Sequence, residues 1–190
     1  MTDLMFKSEI QDLIRDTYRH LSDDRPARLL QTYRDEDLAL LPGEAVAWSF
    51  GTDDPVSAAE LQPGEHVVDL GCGAGIDAIL AAHRVGPEGQ VTGVDLLPEM
   101  CRRARRHAAA AGLPNVTFVE GEIEALPLPD ASADVVVSNG VISLSARKAR
   151  VFREALRVLR PGGRICVSDM TLEEEQLPQE VMLHPAAWAG

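Results

Sequence analysis

The run Val67-Val68-Asp69-Leu70-Gly71-Cys72-Gly73-Ala74-Gly75 is an apolar stretch that ends in a carboxylate and a cluster of glycines. Glycines at such a junction let the backbone pass close to a ligand and take conformations closed to other residues. The dinucleotide fingerprint GxGxxG would place its last glycine at position 76. Here Gly75 comes one residue early and Ile76 holds the expected place, which disfavours pyrophosphate as the ligand. A plain strand-to-helix turn is the alternative reading at this point. Further along, Asp95 ends the apolar run Val91-Thr92-Gly93-Val94, where a carboxylate can accept hydrogen bonds from both hydroxyls of a ribose or cap the helix that Pro98 opens. A third acidic group, Glu120-Gly121-Glu122-Ile123-Glu124, and a polar triplet, Ser138-Asn139-Gly140, each follow a further apolar run. The five histidines, His20, His66, His83, His107 and His184, follow no pattern that marks a general base, and no catalytic residue is assigned.

These groups need elements to carry them. From residue 66 the pattern is strand, helix, strand, repeated: strands at 66–70, 90–95, 116–120, 135–138 and 165–169, with helices at 75–85, 98–111 and 147–159. Pro98 suits a first-turn position and Gly112 a helix stop. Leu159-Arg160-Pro161-Gly162-Gly163 reads as the turn that reverses the chain before the last strand. Such alternation predicts an α/β fold, a doubly wound, mostly parallel sheet covered on both faces. All the chemical groups above then lie at the carboxyl edge of the strands, where open α/β sheets bind ligands. Ahead of this, Phe6, Ile10, Leu13, Ile14, Tyr18 and Leu21 recur at helical spacing and predict an amphipathic helix, and residues 22–65 read as short helices and loops. The organisation expected is an N-terminal helical cap over residues 1–60 and a ligand-binding domain over 61–190.

Composition bounds the partners. A formal charge of −12 over 190 residues argues against nucleic acid. No apolar run approaches the roughly 20 residues of a membrane span, and the first residues match no targeting peptide, so a cytoplasmic protein is expected. Cys72, Cys101 and Cys166 sit in no disulfide or zinc spacing, and no metal is expected. Arg102, Arg103, Arg105 and Arg106 read as the solvated face of a helix. Only Lys7 and Lys148 are lysines among 18 basic residues, a bias typical of GC-rich bacterial genomes.

Over residues 62–169 the motifs resemble those of class I S-adenosylmethionine-dependent methyltransferases, which are Rossmann-like. The resemblance implies S-adenosylmethionine as cofactor, S-adenosylhomocysteine as product and a small-molecule acceptor. It places the cofactor on Asp69, Gly71, Cys72, Gly73, Gly75 and Asp77; on Asp95, Leu96 and Met100; on Gly121, Glu122 and Ile123 at the adenine; and on Ser138, Asn139 and Gly140. Within that superfamily, residues 42–46, 51–55, 69–77, 98–100, 121–129, 138–144 and 183–190 resemble the arsenite methyltransferases, whose "SNCVINL" is matched by Ser138-Asn139-Gly140-Val141-Ile142-Ser143-Leu144. That family holds its soft substrate on cysteine thiolates. Gly140 stands where "SNC" has its cysteine, and Gly51-Thr52-Asp53 where the family has "GCG", so the thiolate site does not carry over.

Candidates for the acceptor side are Tyr18, Trp48, Phe50, Asn139 and Ser143; core packing is the alternative for Tyr18, Trp48 and Phe50, and the strand-end position of Asn139 lies near the transferred methyl in the families it resembles. The departures from the family pattern leave a second reading, a non-catalytic cofactor-binding domain or partner subunit. The fifth strand is expected at a sheet edge, to be covered by residues 172–188 or paired with a second copy in a homodimer.

Overall fold

The computed structural model describes residues 2–19, 32–49 and 52–171, with side chains from residue 8 to 16 in the first helix. Five parallel strands build the sheet: β1 (His66–Leu70), β2 (Gln90–Asp95), β3 (Val116–Glu120), β4 (Ala133–Asn139) and β5 (Leu159–Ser168), in the order β3-β2-β1-β4-β5. Helix α1 (Thr2–Arg19) precedes three single turns, α2 (Asp35–Leu38), α3 (Gly43–Val46) and α4 (Pro55–Ala58). The crossovers are α5 (Ile76–Val85), α6 (Pro98–Ala110) and α7 (Lys148–Val158).

Valines fill the inner strands because both faces are buried, and their alternation sorts them between two cores. Val67, Val91, Val135 and Val137 pack with Ile79, Ala104 and Ala108 of α5 and α6. Val68, Leu70, Val94 and Val136 pack with Val151, Ala155 and Val158 of α7. The chain runs outward from β1 to β3, then returns to place β4 on the other side of β1, so the strand order reverses between β1 and β4. Helix N-termini part on either side of that point, leaving a crevice at the strand ends.

Gly93 lies inside β2 because a Cβ there would meet Phe118 Cδ1 at 2.7 Å and Cys72 Sγ at 2.8 Å. The strand leaves room for the turn that follows β1.

The segment before the sheet is part of the same core. Asp54 accepts a hydrogen bond from Ser57 N–H at 2.9 Å and Pro55 opens α4, an Asp-Pro helix start. Val56 and Ala59 are then buried against α5. Arg164 of β5 pins the chain there: its guanidinium donates to the Ala59 carbonyl at 2.7 Å and to both oxygens of Glu65 at 2.6 and 2.9 Å.

The expected turn at Pro161-Gly162-Gly163 is absorbed into β5 as a bulge: Leu159 pairs with Ala133, and pairing resumes with Arg164 opposite Val135. In the described residues β5 pairs with β4 alone, with Val167 and Met170 exposed beside it. Residues 172–188, Phe50 and the Tyr18 side chain lie outside the described residues. No described helix is long and apolar enough to cross a membrane.

Candidate cofactor and acceptor site

Because β1, β2 and β4 end together at the reversal point, the residues after them line one cleft. Its empty volume is about 870 Å3, counting the part open to solvent, within the range of small-molecule sites. Gly71, Gly73, Asp95, Leu96, Met100, Glu122, Ile123, Asn139 and Gly140, all selected from the sequence, line it. Ile10, Gln11 and Ile14 of α1 and Val141, Leu144 and Ser145 close the opposite side. A smaller pocket adjoins through Gly71, Gly73 and Asn139, walled by Cys72, Asp77, Trp48, Tyr33 and Ser49.

The turn after β1 is bound tightly to its neighbours. Gly71 has φ +67°, and a Cβ there would fall 2.4 Å from Val141 Cγ2. Gly71→Ala is therefore expected to push apart the ends of β1 and β4 and to lower the thermal midpoint by several degrees, roughly 1–3 kcal/mol by the usual cost of overpacking and left-handed strain. A melt that matches the unsubstituted chain would contradict the close approach.

Asp95 ties the turn to β2. One carboxylate oxygen accepts Gly73 N–H at 2.8 Å and the other accepts Leu97 N–H at 2.8 Å. Leu97, rather than Asp95, holds the cap position of α6, and no side chain caps that helix. Burial raises the Asp95 carboxyl to about 6. Burial likewise raises Asp77 to about 6, against hydrogen bonds from Asn139 and Tyr33 that lower it and with Asp54 adding to the rise. Asp69 is held well above the usual range by burial and by the charges of Asp77 and Asp95, and its Oδ2 has no hydrogen-bond partner. None of the three takes part in an ion pair among the described residues. Buried carboxylates without a counter-ion are costly, so the site favours a cation.

Asn139 is the hub of a hydrogen-bond network at the strand ends. Its Oδ1 accepts Thr52 N–H at 2.7 Å, and its Nδ2 donates to Asp77 Oδ2 at 3.0 Å, Tyr33 Oη at 3.0 Å and the Asp53 carbonyl at 2.7 Å. Its amide is thus occupied by the protein, although its position at the cleft is the one expected. Thr52 Oγ1 also shares a hydrogen bond with Ser168 Oγ at 2.6 Å. Trp48 is buried on Ala74, Leu97 and Met100, with the Arg103 guanidinium 3.7 Å from its ring centroid. It both packs and lines the smaller pocket.

Other selected residues line neither pocket or serve the fold as well. Ser138 is fully buried, Ser143 N–H donates to Asp169, and a Cβ at Gly121 would meet Pro127. Gly75 is the left-handed residue from which α5 starts. The hydrogen bond with Cys101, burial and the charge of Asp95 push the Cys72 thiol up, which disfavours its thiolate. Among the described residues, no group of three His, Cys, Asp or Glu side chains is arranged to hold a metal ion. Tyr33, Ser49 and the α1 residues were not singled out from sequence. No motif marks them, and only the folded chain brings them to the strand ends.

A family described as methyltransferase domain matches residues 61–189. An arsenite methyltransferase from Halobacterium salinarum is 46% identical over 141 residues, 74% of this chain and 36% of that protein. A demethylmenaquinone methyltransferase from Listeria monocytogenes is 37% identical over 109 residues, 57% of this chain and 46% of that protein. The crystal structure of an arsenic(III) S-adenosylmethionine methyltransferase from Chlamydomonas reinhardtii aligns with a TM-score of 0.71 at 43% identity, over 80% of this chain and 53% of that one. The chain thus spans between a third and about half of the length of the relatives it matches. With the family match over the whole sheet and the same doubly wound fold in the solved structure, this chain belongs to the methyltransferase domain family, in its class I S-adenosylmethionine-dependent form.

Proposed function

We propose that the cleft binds S-adenosylmethionine and delivers its methyl group to a small-molecule acceptor. The observation that carries this is the trio Asp69, Asp77 and Asp95, buried around a glycine turn with no cation among the described residues to neutralise them. That environment fits a ligand with an ammonium and a sulfonium and no phosphate. When bound, the cofactor would supply an electrophilic methyl carbon on a sulfonium, with neutral S-adenosylhomocysteine as the leaving product.

The protein's part is alignment and exclusion of water. Asp95 has spent one lone pair of each oxygen on Gly73 and Leu97, which leaves acceptor capacity for ribose hydroxyls. Leu96, Met100 and Ile123 supply apolar walls and Glu122 an acceptor for an exocyclic amine. Asp77 and Gly73 take the amino-acid end. The acceptor enters beside Asn139 and Gly140, where no thiol stands: Cys72 is buried in the turn, Cys101 is buried in α6 and Cys166 lies on β5. The acceptor then attacks through oxygen, nitrogen or carbon, and arsenite is not a substrate by a thiolate route.

The same reading takes residues 1–60 as a cap over the 61–190 domain, with Tyr18 and Phe50 on the acceptor side. It takes the protein as cytoplasmic and bacterial, acting on no nucleic acid, with edge strand β5 paired to a second copy. Calorimetric titration with S-adenosylhomocysteine is expected to saturate near one ligand per chain, and methyl-labelled S-adenosylmethionine to label a small acceptor but not arsenite. Well-folded protein that takes up no S-adenosylhomocysteine would remove the reading.

A further inference from the structure

Tyr33 lies between α1 and α2, outside every motif, yet it reaches the smaller pocket and is only 5% exposed. Its hydroxyl donates to Asp77 Oδ1 at 2.8 Å and accepts from Asn139 Nδ2 at 3.0 Å, while Asn139 Nδ2 donates to the other oxygen of Asp77 at 3.0 Å. A phenol, an amide and a carboxylate thus close a ring of hydrogen bonds joining three distant parts of the chain. The backbone Thr52 N–H at 2.7 Å from Asn139 Oδ1 fixes which end of the amide is oxygen, so Nδ2 must face Asp77 and Tyr33. Burial and the charge of Asp77 keep the Tyr33 hydroxyl protonated, so its proton stays committed to the carboxylate.

We propose that Tyr33 is a positioning residue for methyl transfer: with Asn139, it holds the Asp77 side chain charged and oriented at the amino-acid end of the bound cofactor. This rests on the S-adenosylmethionine reading above. The charged group that disfavours the Asp77 carboxylate is Asp54, from the chain before α4, while Asp77 itself, with Asp95 of β2, raises Asp69 of β1. No described cation offsets them, so the two donors are what keep the carboxylate ionised without ligand. Donation to a charged group is worth enough to move a carboxyl by about one pH unit.

The test is calorimetric titration with S-adenosylhomocysteine from pH 5 to pH 9, for the unsubstituted chain and Tyr33→Phe, with a thermal melt of each. The pH at which affinity is half-maximal is expected to rise by about one unit in Tyr33→Phe, giving about threefold weaker binding near pH 6.5 and nearly equal binding at pH 8.5. A loss of equal size at every pH, or no change, overturns the proposal, since a packing role would not move the midpoint. Should Tyr33→Phe melt too low for titration, fluorotyrosine at both tyrosines of the chain keeps the ring and makes the hydroxyl a stronger donor. The midpoint must then fall, and an unmoved or raised midpoint overturns the proposal. If the unsubstituted chain binds nothing at any pH, the cofactor reading fails and this inference with it, an outcome distinct from a failure of Tyr33 alone.

Discussion

Asp95→Asn is expected to weaken S-adenosylhomocysteine binding by about a hundredfold while the chain stays folded, as calorimetry and circular dichroism together would show. The substitution is nearly isosteric, so packing on Leu97 and Met100 is kept. In the native carboxylate both oxygens accept a backbone N–H, from Gly73 and from Leu97, each at 2.8 Å. The amide has one oxygen and one NH2, so one of these N–H groups must face another donor. If the NH2 turns to Gly73, the glycine turn loses its tie to β2. If it turns to Leu97, the first turn of α6 is disturbed and the Met100 wall with it. In either orientation the site also gives up the charged acceptor offered to the ribose. A charged hydrogen bond is worth about 1.5–3 kcal/mol and tenfold in affinity is about 1.4 kcal/mol, so the loss of one ligand bond and one tie reaches a hundredfold or more. Affinity within threefold of the unsubstituted chain would show that Asp95 only braces the turn.

The sheet was readable because its strands are continuous valine-rich runs bounded by glycine or a carboxylate, a pattern that burial on both faces imposes. The first three strands have the bounds expected, and Gly112 ends α6 as a stop should. The last strand was less readable. Pro161 and Gly162 signal a turn, and residues 160–163 do stand unpaired there, but Leu159 is already paired with Ala133 ahead of them, so the strand begins earlier than expected. Motif positions on the strand ends were legible for the same reason as the strands: an α/β sheet brings its carboxyl edge together whatever the loops do. The contribution of residues 32–54 was not. Tyr33 meets Asp77 and Asn139 only through the docking of irregular chain, for which no periodicity exists. Asn139 shows the limit from the other side: it lines the cleft at a strand end, but its amide is filled by Thr52, Asp53, Tyr33 and Asp77, an engagement that arises only in the folded chain. Ser143 lies in the 3-10 turn Ile142–Leu144, where its backbone N–H is bound to Asp169.

The cofactor-free protein is expected to be most stable near pH 5 and to lose about 2–3 kcal/mol between pH 5 and pH 7, as urea unfolding would measure. Asp77 and Asp95 both titrate near 6 in the folded chain against 3.8 for a free carboxyl, because burial disfavours the charge. The folded state therefore holds protons that the unfolded chain has released. Stability from this source is fully present below 3.8 and is lost as pH rises through 6. Other groups act in the opposite sense. The hydrogen bond from Arg164 lowers Glu65, and that from Arg157 lowers Glu154, so their contribution is present above the ordinary glutamate range and is lost as pH falls through their lowered values. The two trends cross near pH 5, which sets the maximum. A ligand carrying an ammonium would give the buried carboxylates the partner that the described residues do not, so saturating S-adenosylhomocysteine should remove most of the fall between pH 5 and pH 7. Unliganded stability that is flat or rises over that interval would show the carboxylates to be neutralised from within the protein.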